Sequence, residues 1–365
     1  MAFFLTMVAF LSSIFWINYK IDPSGNNSSS KIYELSRMQQ NGQTLISEKA
    51  FDQRQWISGK LFHTDCPETL ILGSSTVGAF SQKMFNSKIL NAWLTGPSIE
   101  DYEAIAQMLT ETACLPQNIV IGIDPWFFNR LSTSDRWKSI HQYYSKYQLN
   151  NSQLKTTWWN TIQSWSKFKD NLSFSTTKMS FQILMTEGSH ADIEPELIQS
   201  SIQDICNGIT KTPLLTENSY LRASDGHYEN CRQYLPDQSK VNEISKTYLQ
   251  RNMHHMAEWH ELNEDVITRL EILLSKLLSS KSKIILVSTP YHPTTFSVLM
   301  NDRITKKNLF EMDMILLEIA ERFGISYLNF RNPQSIPCDS NEFNDSHHSD
   351  EICSTKIAMK IQDKF

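Results

Sequence analysis

The chain has 365 residues, 40% of them hydrophobic, and a formal net charge of −5 from 34 basic and 39 acidic side chains. That length accommodates one large α/β domain with insertions, or two domains, around a sizeable core. The near balance of charge and the lack of a basic block exclude nucleic acid as an expected partner, and no fixed-period repeat points to a solenoid.

Residues 2–17 carry no charge, about the shortest run that can span a bilayer core. Trp16, Tyr19 and Lys20 follow as interfacial anchors do. Without a basic leader or a small-residue cleavage site, the run predicts an uncleaved membrane anchor over 1–20. Lys20, Lys31 and Arg37 lie after the span, which taken alone would hold the body in the cytoplasm; large domains translocate regardless of such charge. Residues 22–30 (DPSGNNSSS) read as a turn and flexible linker, and 31–62 as mixed helix leading into the domain at 63.

Buried parallel strands are predicted at 69–72, 118–123 and 283–288, with a weaker one at 325–330. Helical periodicity fills 100–111, 263–278 and 307–323, the last stopping at Gly324. Strand–helix alternation predicts a three-layer, doubly wound, mainly parallel α/β sheet. Between about 131 and 245 the rhythm breaks into a Ser, Thr, Asn and Trp-rich insertion, which includes Trp137, Trp158, Trp159 and Trp165. It is read as an insertion over the carboxyl edge of the sheet, either a lid or substrate platform or a structural elaboration. The stretch HHMAEWHE (254–261) lacks metalloprotease spacing and reads as a polar helix face. No metal and no organic cofactor is implied. The cysteines fall into neighbouring pairs: Cys66 with Cys114, Cys206 with Cys231, and Cys338 with Cys353. An oxidising compartment suits that arrangement.

The chemistry-bearing residues sit at strand ends. Gly73-Ser74-Ser75 ends the first strand. A serine there meets the carboxyl edge, where open α/β sheets place their sites, and a helix beginning at Thr76 would favour an oxyanion. Ser75 is the expected nucleophile, with Ser74 its rival. Asp345 and His348, three apart, supply an orienting carboxylate and a base. The loop 91–98 brings Gly96, whose backbone can approach an oxyanion. The end of the next strand brings Asp124 and Asn129 to the same edge. His292, after the 283–288 strand, is a candidate substrate contact. Asp225-Gly226-His227-Tyr228 reads as a plain type I′ or II turn, with a reach into the site from the insertion as the alternative.

In that order, these blocks resemble the SGNH (GDSL-like) hydrolases over roughly 65–130 and 280–365. The resemblance places the nucleophile at Ser75, an oxyanion glycine at Gly96 and the Asp-x-x-His block at Asp345 and His348. The third block, normally Gly-x-Asn-Asp, is missing, and Ile-Asp-Pro-Trp-Phe-Phe-Asn (123–129) stands in its place. With the N-terminal run, the chain resembles the membrane-anchored branch that includes the D-alanyl transfer protein of teichoic acid modification and the alginate O-acetylation proteins. The resemblance implies an SGNH/flavodoxin-like fold and a serine acyl-enzyme, with an acyl donor and an envelope glycan acceptor outside the cytoplasm and a membrane-bound acyl-transfer partner. The alternatives are a membrane-bound carboxylesterase and a non-catalytic glycan-binding or assembly protein that keeps the fold.

Overall fold

The computed structural model describes residues 2–21, 31–47, 51–151, 172, 177, 180 and 194–365. The predicted linker at 22–30 and Trp158, Trp159 and Trp165 lie outside the described residues. The strands are β1 (Thr44–Ser47), β2 (Thr69–Gly73), β3 (Ile89–Trp93), β4 (Asn118–Gly122), β5 (Glu196–Ile198), β6 (Tyr220–Ala223), β7 (Lys283–Ser288) and β8 (Ser326–Asn329). Five of them form a parallel sheet in the order β3-β2-β4-β7-β8. The order reverses direction between β3 and β4, with β2 in the middle, as in a doubly wound fold of flavodoxin type.

Both sheet faces are covered, and the strands are apolar throughout for that reason. Leu70, Leu72, Ile119, Ile121 and Leu286 face one way, against the helices Gln53–His63, Ile99–Glu111, Glu264–Ser279 and Arg303–Phe323. Ile71, Val120, Ile285 and Val287 face the other way, against Ile357, Ala358 and Ile361 of the helix Glu351–Gln362. The Arg303–Phe323 helix ends at Gly324 in the left-handed region (φ 64°), as the sequence predicts.

A second sheet was not expected. β5 and β6, from the 131–245 insertion, pair antiparallel with β1, which precedes the main sheet. Three- and four-residue strands in polar sequence leave little periodic signal. β3 also runs to Trp93, through residues 91–93 that the sequence assigns to a loop.

The first element is a helix, Ala2–Ile21, over the predicted anchor. Among the described residues no helix is long and apolar enough to cross a membrane, so the fold by itself does not show the spanning segment. All six cysteines are paired, as Cys66–Cys114, Cys206–Cys231 and Cys338–Cys353.

Candidate active site

The serine turn is built by close packing behind it. A Cβ on Gly73 would stand 2.5 Å from Val77 Cγ2, and one on Gly122 of the adjacent β4 would stand 2.7 Å from Val77 Cγ1. These two glycines open the gap that Val77 fills, which holds residues 75–77 against the ends of β2 and β4. The turn is a single 3₁₀ turn, Ser75–Val77, instead of the expected longer helix. Asn91 fixes its far side: the buried Nδ2 donates to the carbonyls of Val77 (2.8 Å) and Phe80 (2.9 Å). The sequence alone assigns Asn91 to a loop and gives it no role. The one available signal was an amide inside an otherwise apolar run.

Ser74 turns inward. Its side chain is buried and accepts from the Thr76 N–H at 3.1 Å. Ser75 points the other way, into the open, and its Oγ lies 2.8 Å from His348 Nε2. His348 Nδ1 lies 2.6 Å from Asp345 Oδ2. Asp345 Oδ1 also accepts from the backbone N–H groups of His347 and His348, each at 2.9 Å. The carboxylate is therefore tied by both chain and ring, which fixes the imidazole tautomer with its proton on Nδ1.

The loop that carries this pair is held at both ends. Cys338–Cys353 brackets it, Asp350 caps the last helix through Cys353 N–H (3.0 Å), and His292 N–H donates to Ser346 O at 3.1 Å.

Electrostatics separate the two adjacent histidines. Burial disfavours a charged His348, but the attraction of Asp345 and the hydrogen bond to it outweigh that and raise its pKa. For Asp345, burial is likewise outweighed, by His348 and His347, and its carboxyl is held well below the ordinary range. Burial pushes His347 down to about 3, helped by the charge of His348, with Asp345 opposing. His347 is a neutral buried ring that packs edge-on to Trp126 at 5.9 Å.

The remaining expected residues divide. Leu94 N–H donates to Gly73 O at 2.9 Å, so the turn containing Gly96 emerges beside the serine. Gly96 needs its freedom: φ is +51°. The Ser75 N–H, first in its 3₁₀ turn, has no acceptor among the described residues. Asp124 is buried beneath the serine turn, where Thr76 Oγ1 donates to its Oδ1 at 3.1 Å. Burial lifts it to about 6, against hydrogen bonds from Ser74 and Thr76.

The Asn129 side chain is engaged by the 254–255 turn. Its Nδ2 donates to the carbonyls of His254 (3.2 Å) and His255 (2.9 Å). Both histidines have left-handed backbone, φ 52° and 57°, so Asn129 braces a strained turn where the sequence predicts a plain helix face. His292 is fully buried, and its Nδ1 caps the helix Pro293–Asn301 by accepting from Thr294 N–H. That places it behind the His348 loop and outside the cavity in front of it.

His254, which sequence reasoning left outside the site, stacks on Trp126 at 4.5 Å and lies next to Gly96. Its backbone conformation has no periodic signature. In front of the serine lies a cavity of about 610 Å³ lined by Ser75, Ala79, His227, Tyr228, Phe343 and His348, among others.

No family model matches the chain, and neither a curated protein nor a solved structure matches it.

Proposed function

We propose that the chain is a serine-dependent acyltransferase of SGNH type. It takes an acyl group from an ester donor onto Ser75 and delivers it to a hydroxyl of a cell-envelope glycan. The observation that carries the reading is the relay Ser75 Oγ–His348 Nε2 (2.8 Å) and His348 Nδ1–Asp345 Oδ2 (2.6 Å) at the carboxyl edge of a parallel sheet. A hydroxyl is a weak nucleophile until a base in hydrogen-bond reach takes its proton.

In the first half-reaction His348 Nε2 takes the Ser75 proton as Oγ attacks the ester carbonyl. The tetrahedral oxyanion faces the N–H groups of Ser75 and Gly96. His348 then gives the proton to the leaving alkoxide and the donor's C–O bond breaks. In the second half-reaction the acceptor hydroxyl gives its proton to His348, its oxygen attacks the acyl carbon, and the proton returns to Ser75 Oγ as the acyl-enzyme bond breaks. Asp345 stays ionised throughout and stabilises the imidazolium. Asp124 occupies the place of the family's asparagine-bearing block as a buried group beneath the serine turn.

The location outside the cytoplasm rests on the three disulfides. Membrane attachment rests on the uncharged run at 2–17, and the glycan acceptor on the family resemblance together with both. A fluorophosphonate probe tests the centre of the reading. Wild-type protein and Ser74→Ala should label, and Ser75→Ala should not. Labelling that survives Ser75→Ala would show that another residue is the nucleophile.

A further inference from the structure

We infer that His227, held by Asp225, is an acceptor-positioning residue: its Nε2 receives a hydrogen bond from a hydroxyl of a polyhydroxylated acceptor as that acceptor approaches the acyl-enzyme. The inference rests on the acyl-transfer reading above. His227 Nδ1 lies 2.6 Å from Asp225 Oδ1, the separation also found between His348 and Asp345. Asp225 Oδ1 also accepts from the His227 N–H at 3.1 Å, and Oδ2 accepts from the Gln82 N–H at 2.7 Å. With its carboxylate so engaged, the pair favours the tautomer with its proton on Nδ1, in which Nε2 carries a lone pair. Among the described residues nothing is paired with that nitrogen. Among the described residues no serine is hydrogen-bonded to that nitrogen, so the pair is suited to receive a hydroxyl proton from an incoming molecule in a hydrogen bond.

The turn is rigidly placed with respect to Ser75. Asn91 N–H donates to Asp225 O at 2.7 Å, and Trp93 Nε1 donates to Gly226 O at 2.9 Å. Both partners lie on β3, which pairs with the strand that carries the serine. His227 also marks a junction. The cavity of about 610 Å³ over Ser75 and a neighbouring one of about 1310 Å³ share Ser81, Lys83, His227 and Glu229 as a common wall. The space in front of the serine therefore continues past His227 and outward, between walls of mixed polar and apolar character. That shape suits a long, hydroxyl-rich chain better than a compact ester, and it sets His227 on the acceptor side.

The test uses the full-length chain, p-nitrophenyl acetate as donor, and glycerol and cellohexaose as acceptor probes. Acetylated polyol and free acetate are quantified by mass, and fluorophosphonate labelling of Ser75 is followed in every variant. Wild type should transfer. His227→Phe should lower the ratio of transfer to hydrolysis roughly tenfold, the loss of about one hydrogen bond, by raising the acceptor KM. His227→Gln, which keeps an acceptor atom, should regain much of the ratio. A variant that fails to fold is recognised by lost labelling, and Asp225→Asn, expected to be intermediate, then carries the test. An unchanged ratio in His227→Phe overturns the inference, as does an unchanged ratio in Asp225→Asn where the His227 variants lose labelling. Wild-type labelling without transfer to either polyol overturns it too and leaves the acyl-enzyme standing. Wild type that neither labels nor releases p-nitrophenol removes the underlying reading instead.

Discussion

Gly73 and Gly122 face each other across β2 and β4, so close that a Cβ on Gly73 would lie 3.3 Å from the Cα of Gly122. Val77 occupies the remaining space. The glycine of Gly-Ser-Ser is thus required by packing at the strand ends, and the position of the serine follows from it.

Gly73→Ala therefore forces a methyl group to within 2.5 Å of a buried, β-branched neighbour. Overpacking of this kind costs about 1–3 kcal/mol. The urea midpoint should fall, and the fluorophosphonate labelling rate should fall with it as Ser75 is pushed off line. An alanine variant with wild-type midpoint and labelling would refute the packing argument.

The acylation rate should rise with pH as His348 loses its proton, and the midpoint should lie above the ordinary imidazole value of ~6.5. Asp345→Asn removes the attraction that raises it and leaves burial, which lowers it. The midpoint of the residual activity should then move below ~6.5, and the plateau rate should drop by up to roughly four orders of magnitude. A pH–rate profile for each protein checks both.

Asn129→Ala leaves the carbonyls of His254 and His255 without their donor. A cost of about 1–3 kcal/mol in stability is expected, with labelling of Ser75 retained. Loss of an oxyanion donor would instead slow acylation by roughly a hundredfold or more. Denaturation and labelling on the same samples separate the two roles.

His347 has a folded-state pKa of about 3, against ~6.5 unfolded. Between those values the unfolded chain binds a proton that the folded chain does not. The stability due to this group is complete above ~6.5 and declines as pH falls, by about 1.4 kcal/mol per unit. His347→Gln should lose less stability than wild type between pH 7 and pH 5, by about 2 kcal/mol.

Replacing Cys338 and Cys353 together by serine opens a closure of 15 residues, worth about 3 kcal/mol in the loop-entropy model. It also unclamps the Asp345–His348 loop, so turnover should fall further than labelling of the folded fraction by denaturation predicts. Non-reducing peptide mapping of the parent should recover this bridge and the other two.

The strands most legible in the sequence were those covered on both faces, such as Lys283–Ser288, because continuous burial writes a continuous apolar run. Ser75, Asp345 and His348 were legible because each stands at a strand end or in a short turn at fixed spacing. Asn91 was not, because a buried amide inside a strand looks like a break in it. The β5-β1-β6 sheet was not, because its pairing joins residues about Thr44 to others near Ala223 and Ile198, and no local pattern encodes such a contact. Asn129 stood at the expected edge, but the direction of its side chain is set by the His254–His255 turn, whose left-handed backbone has no signature in residue type.

Ser75 and His348 are separated by 273 residues, and His348 follows β8, the edge strand on the side of β2 away from β3. During synthesis the serine turn can form early, while its base is still to be made. A chain cut short before the Cys338–Cys353 clamp carries the Gly-Ser-Ser sequence without Asp345 and His348. Under the proposed function, reactivity toward esters waits for the segment that carries Asp345 and His348, and a fluorophosphonate signal reports a chain in which that segment has docked beside Ser75.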